Sequence, residues 1–238
     1  MTATIVLDSA GELAAAAAQR LVAAAEAGAH IALTGGSTPR AAYERAAAAG
    51  ADWRGATAWF GDERCVEPDH PDSNYGMARA ALLDPLGDAA PRVHRMRGEL
   101  GPEDGAAAYE AELLEAFGPG GTPRLDMVLL GLGPDGHCAS MFPGKPAVRE
   151  RERWAVGVPE PGLEPHVPRI TMTMPVLNAA REVVFLVSGE EKADAVVAAF
   201  RGGGDPAVPA SLVAPDTGSL TLLLDRGAAA RLEAAARL

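Results

Sequence analysis

Within residues 125–144, LDMVLLGLGPDGHCASMFPG, an acid and a histidine lie two residues apart, Asp135 and His137, in a glycine-rich turn that follows an apolar run. Histidine is the side chain best suited to move protons near neutral pH, and a carboxylate beside it can fix its tautomer. A second acidic group, Gly61-Asp62-Glu63-Arg64, puts two carboxylates next to a cation. Either Asp135 or Asp62 can orient the imidazole, and the sequence leaves that choice open. A third group, Gly35-Gly36-Ser37-Thr38-Pro39, has the composition of an anion-binding turn. Glycines let backbone approach a ligand, while free N–H groups and hydroxyls at a helix start attract phosphate. It is not a Walker loop, because the lysine and the spacing are missing.

Gly131, Gly133 and Gly136 also match G-x-G-x-x-G, the outline of a dinucleotide fingerprint. That pattern needs a regular helix after it and, about 20 residues on, an acid that ends a second strand. Here Pro134 interrupts it, Pro143 leaves space for two helical turns at most, and residues 149–154 are charged and irregular. The glycines are therefore read as shaping a loop that presents Asp135 and His137, and a nicotinamide cofactor is not expected. His137 and Cys138 are adjacent, without the spacing of metal ligands, so no metal is expected. Ser140 lies outside any G-x-S-x-G elbow, which argues against a serine hydrolase. Cys65 and Cys138 are too few for a disulfide framework and are read as small reduced thiols.

The groups need a scaffold that brings them together. Apolar segments at 4–7, 30–34, 57–60, 126–130, 182–187 and 220–224 read as strands. Alanine-rich segments at 9–27, 38–49, 74–83, 103–117, 190–200 and 228–237 read as helices, with Thr38 as an N-cap, Pro39 in the first turn and Gly50 as a stop. Strands that are apolar throughout and alternate with helices predict a doubly wound α/β fold, mainly a parallel sheet with helices on both faces. Pro- and Gly-rich stretches at 118–123, 143–146, 159–168 and 202–209 read as surface loops. None divides the chain into two compositions, so residues 1–238 are expected to form one domain. In such a sheet ligands bind beyond the carboxyl ends of the strands, where all three groups fall.

The 238 residues carry 32 acids against 21 Lys and Arg, a formal charge of −11. A chain so acidic has no basic footprint for nucleic acid or an anionic membrane. A small anionic substrate would have to meet a local cluster of cations. No apolar run is long enough to span a bilayer, and the start, MTATIVLDSAGEL, lacks the basic residues of a secretion signal; a cytoplasmic location is the expectation. Only Lys145 and Lys192 are lysines in a chain otherwise rich in arginine.

In order and spacing, TGGSTP, GDER with a downstream SN, GLGPDGHCASMFPG and PRITMTMPVLNAAREVVFLVSGEEK resemble the 6-phosphogluconolactonase family over nearly the whole chain. The related glucosamine-6-phosphate deaminases typically have Asp-Glu-Tyr where this chain has Asp62-Glu63-Arg64, and Asn-Glu-Pro where it has Ser140 to Pro143. Cys138 and Met141 stand where the family more often has Thr and Leu. The resemblance implies hydrolysis of 6-phosphoglucono-δ-lactone in the oxidative pentose phosphate pathway. His137 would be its general base, with Asp135 or Asp62 orienting it. Gly35, Gly36, Ser37, Thr38, Arg64 or Arg169, and Lys192 would bind the substrate phosphate. It implies no cofactor and no metal; a monomer is expected, with a homo-oligomer left open. An aminosugar-phosphate deaminase/isomerase and a non-catalytic sugar-phosphate sensor are the alternatives.

Overall fold

The computed structural model describes residues 2–235, so Arg237, expected in the closing helix, lies outside the described residues. Six parallel strands of a seven-stranded sheet coincide with the apolar segments: β1 Thr2–Leu7, β2 His30–Leu33, β3 Thr57–Phe60, β6 Met127–Leu130, β9 Glu182–Val187 and β10 Ser219–Asp225. A two-residue strand, β5 Arg92–Val93, forms one edge. All four residues of β6 are buried, as befits a strand covered on both faces. The long helices start where local chemistry satisfies their free N–H groups. For α1, Ala10–Glu26, Ser9 Oγ accepts from Glu12 N at 3.2 Å, and Glu12 in turn accepts from Asp8 N.

The strand order is β1-β10-β9-β6-β2-β3-β5. From β2 the chain moves outward through β3 to β5, then returns to lay β6 against the opposite side of β2 and continues through β9 to β10. Parallel crossovers are almost always right-handed, so this reversal sends the connecting helices to opposite faces of the sheet. The doubly wound expectation holds. It also places the switch point between β2 and β6, whose following loops are Thr34–Gly36 and Gly131–His137.

The structure departs from the sequence reading beside that point. GDER is not a loop: after β3 the chain turns at Gly61 into β4, Asp62–Arg64. β4 joins an antiparallel three-stranded sheet with β8, Arg169–Met172, and β7, Ala155–Val158. Main-chain bonds weld this sheet to the large one: Gly61 N donates to Leu33 O, and Met172 N to Gly61 O. The helix after Gly36 begins earlier than expected. Gly36 is its N-cap with φ +115°, a conformation open to glycine, so Ser37 is already the first residue of α2, Ser37–Ala48, and Thr38 is inside the first turn. The helical run from Asn74 reaches Leu86, through α3 (Asn74–Ala78), a π-helical turn over Arg79–Leu83 and α4 (Asp84–Leu86). α5 spans Pro102–Phe117, α6 spans Met174–Ala179, α7 spans Ala193–Phe200 after a 3₁₀ turn over Glu190–Lys192, and α8 spans Arg226–Ala235.

Candidate active site

A cleft of about 470 Å3 opens at the switch point and gathers residues from all three groups: Gly35, Gly36, Asp62, Arg64, His137, Arg169 and Lys192 line it. Ser37 lies outside it, in the wall of a smaller neighbouring chamber, and Thr38 lines neither. Both residues are inside the first turn of α2.

The first wall is the turn after β2. The buried Tyr43 of α2 clamps it, its hydroxyl accepting from Thr34 N and donating to Thr34 O, both at 2.9 Å. A Cβ on Gly35 would lie 1.9 Å from Asn74 Oδ1, so only glycine lets these two segments close on each other. Asn74 also lines the cleft. The sequence showed it only as a helix start beside Ser73, which is indeed the N-cap of α3.

The second wall is β4 against β8. Glu63 is buried and faces away from the reaction space. It accepts from Arg64 N, Asn74 N and Tyr75 N, each at 2.7 Å, and from Ser73 Oγ at 3.0 Å. Burial raises its pKa, and those four hydrogen bonds oppose the rise. It is an anchor for the start of α3. The antiparallel register sets Arg64 directly opposite Arg169. Like charges so placed repel, and burial first, then Arg64, push the Arg169 guanidinium below its usual range. Arg169 is held by carbonyls, those of Val167 at 3.2 Å and Pro165 at 2.9 Å, and it lies 5.7 Å from the centre of the Phe142 ring. Arg64 donates to Asp72 O at 2.9 Å. Among the described residues neither arginine has a carboxylate partner at ion-pair distance. With Lys192, at the end of the 3₁₀ turn, they set three cations against the carboxylates of Asp62 and Glu164 in the cleft lining.

The third wall is the loop after β6. Gly136, with φ +80°, turns the chain so that Asp135 Oδ1 meets His137 Nδ1 at 2.6 Å. A carboxylate only accepts, so Nδ1 carries the proton and the neutral ring has its lone pair on Nε2. The Phe142 ring packs 4.5 Å from the imidazole. A Cβ on Gly133 would fall 2.0 Å from His137 Nδ1, which explains that glycine. The N–H groups of Gly133, Gly136 and His137 are bonded within the loop, to His137 O, Gly133 O and Asp135 Oδ1, and so cannot serve an oxyanion.

Among the described residues Asp62 makes no hydrogen bond to His137. Its carboxylate accepts from Ser140 Oγ at 2.6 Å and Asn74 Nδ2 at 3.3 Å, because β4 carries it toward the turn at Ser140. That turn is tight: Met141 N bonds Cys138 O, and Ala139 takes φ +49°, which for a non-glycine residue costs about 1 kcal/mol or more. Ser140 is thus a buried donor whose hydroxyl is committed to Asp62. Both cysteines are free. Burial pushes the Cys65 thiol up to about 12 and the Cys138 thiol up as well. Among the described residues no group of three or more His, Cys, Asp or Glu could hold a metal ion, and no helix is long and apolar enough to cross a membrane.

Residues 3–222 match the family model described as glucosamine-6-phosphate isomerases/6-phosphogluconolactonase. Two curated relatives named 6-phosphogluconolactonase are each 43% identical to this chain. The one from Nostoc sp. aligns over 85% of this chain and 84% of its own length, and the one from Mycobacterium tuberculosis over 92% and 94%. The solved structure of a 6-phosphogluconolactonase from Trypanosoma brucei superposes with a TM-score of 0.85 at 31% identity, covering 98% of this chain and 99% of that one.

Proposed function

The chain belongs to the family of glucosamine-6-phosphate isomerases and 6-phosphogluconolactonases, and we propose from that premise that it hydrolyses 6-phosphoglucono-δ-lactone to 6-phosphogluconate with His137 as general base. The observation that carries this reading is the Asp135–His137 pair, with Nε2 left as a proton acceptor, in the same cleft as Arg64, Arg169 and Lys192.

The substrate phosphate lies against Arg169, Lys192, Arg64 and the backbone of Gly35-Gly36. Charge-assisted hydrogen bonds hold it there, and its two charges relieve the repulsion between the opposed arginines. This anchor, remote from the reacting bond, fixes the lactone carbonyl within reach of a water on His137. Nε2 takes a proton from that water as its oxygen forms a bond to C1. The tetrahedral intermediate then collapses with cleavage of the bond between C1 and the ring oxygen. The imidazolium returns the proton to that oxygen, which becomes the C5 hydroxyl, and C1 becomes a carboxylic acid. Asp135 fixes the tautomer and stabilises the transient imidazolium. Asp62, held by Ser140 and Asn74, is a fixed acceptor in the cleft floor rather than part of the proton relay.

Asp135→Asn tests this arrangement. An amide can donate to Nδ1, which favours the tautomer with the proton on Nε2 and removes the base. We expect kcat to fall by about a hundredfold or more while KM changes little. A kcat within threefold of wild type would mean that Asp135 does not set the working state of His137.

A further inference from the structure

Among the described residues the Lys192 ammonium makes no ion pair or hydrogen bond, whereas Arg64 and Arg169 are tied to carbonyls. With no side-chain partner to hold it, Lys192 stands where the backbone of its turn puts it. That turn, Glu190–Lys192, follows β9 and closes with Lys192 N on Gly189 O at 3.1 Å.

The turn is fastened by a carboxylate outside the cleft. β9 and β10 run parallel with Val187 beside Leu224, so Ser188 and Asp225 leave the sheet together. Asp225 is buried and does not line the cleft. Its Oδ1 accepts from Ala228 N at 2.8 Å, in the manner of a helix cap for α8. Both its oxygens accept from Gly189 N at 3.1 Å, and Oδ2 also accepts from Ser188 Oγ. Burial raises the carboxyl pKa, but the bonds from Ala228, Ser188, Gly189 and Gly227 outweigh it and hold the group below the usual carboxylate range. The start of α8 presses on the same loop, since a Cβ on Gly227 would lie 2.9 Å from Glu190 N. One ionised carboxylate thus joins the end of β9, the start of α8 and Gly189, which opens the Lys192 turn at φ +104°. Capping α8 needs only the contact with Ala228; the bonds to Ser188 and Gly189 go beyond that role.

We propose that Asp225 is a positioning residue for phosphate recognition: by holding the Gly189 turn against β10 and α8, it places the Lys192 ammonium in the cleft. This role rests on the lactonase reading in one respect, the assignment of the substrate phosphate to Lys192. It bears on affinity for a phosphorylated ligand. Proton transfer is left alone, because the Asp135–His137 pair sits on the loop after β6.

Asp225→Asn isolates the role. The amide oxygen can keep the cap on Ala228, since asparagine caps helices as well as aspartate does, while the amide nitrogen in place of Oδ2 turns a donor toward Gly189 N. Titration calorimetry of the whole protein with 6-phosphogluconate should show Kd raised about tenfold, the lower end of what a hydrogen bond to a charged group is worth. Lys192→Met should raise Kd at least as much. The double variant should match Lys192→Met within about twofold, because a turn without its ammonium has nothing left to place. With the phosphorylated lactone, Asp225→Asn should raise KM and change kcat little. A wild-type Kd in Asp225→Asn, no effect of Lys192→Met, a double variant that shows both losses in full, or a loss carried by kcat overturns the proposal. Should Asp225→Asn fail to fold, Ser188→Ala enters the same cycle with an expected loss of about threefold, and full additivity with Lys192→Met again overturns it. If wild type binds 6-phosphogluconate without hydrolysing the lactone, the lactonase reading fails alone, and the binding cycle still decides the role of Asp225.

Discussion

His137→Ala should lower kcat for 6-phosphoglucono-δ-lactone by about two to four orders of magnitude, the usual worth of a positioned general base. KM should move far less, because the cations that hold the phosphate come from other segments: Arg64 from β4, Arg169 from β8 and Lys192 from the turn before α7. The loop should survive the change. Its hydrogen bonds from Gly133 N and Gly136 N go to main-chain oxygens and do not need the ring. Steady-state kinetics on the fresh lactone, corrected for spontaneous hydrolysis, checks the split. A loss expressed mainly in KM would instead mark His137 as a binding residue.

Arg169→Met should reduce kcat/KM for the phosphorylated lactone by about a hundredfold, since one to two charge-assisted hydrogen bonds to a dianion are lost. Methionine fills much of the volume against Phe142 and removes the repulsion with Arg64 across the strand pair. The effect should therefore be specific to the phosphate: kcat/KM for unphosphorylated gluconolactone should stay within about threefold of wild type. An equal fall for both lactones would mean that Arg169 acts through the shape of the cleft rather than through its charge.

Much of the scaffold was legible because it rests on local signals. Residues 127–130 are apolar at every position and could only be a strand buried on both faces. Ser9 and Ser73 stand where helix caps belong, and Gly50 where a helix stops. The small antiparallel sheet was not legible. Its strands are three or four residues long, and β4 carries Asp62, Glu63 and Arg64, which read as a turn until β8, more than a hundred residues later, pairs with it. The same non-local pairing decides chemistry. It separates Asp62 from His137, sets Arg64 against Arg169, and turns Glu63 onto the start of α3. Thr38 was misplaced for a local reason, because Gly36 at φ +115° caps the helix two residues early and nothing in the letters distinguishes the two starts. That the Gly35 turn and the Asp135 turn meet at all follows from the switch of strand order between β2 and β6, a property of the whole chain.

The most direct measurement is acid release from freshly prepared 6-phosphoglucono-δ-lactone by the purified protein, set against the spontaneous rate, with unphosphorylated gluconolactone and glucosamine 6-phosphate in parallel. Phosphate-anchored, histidine-assisted hydrolysis predicts strong acceleration for the phosphorylated lactone, far less for the unphosphorylated one, and no ammonia from the aminosugar. No acceleration above the spontaneous rate, or ammonia release from glucosamine 6-phosphate, would contradict it.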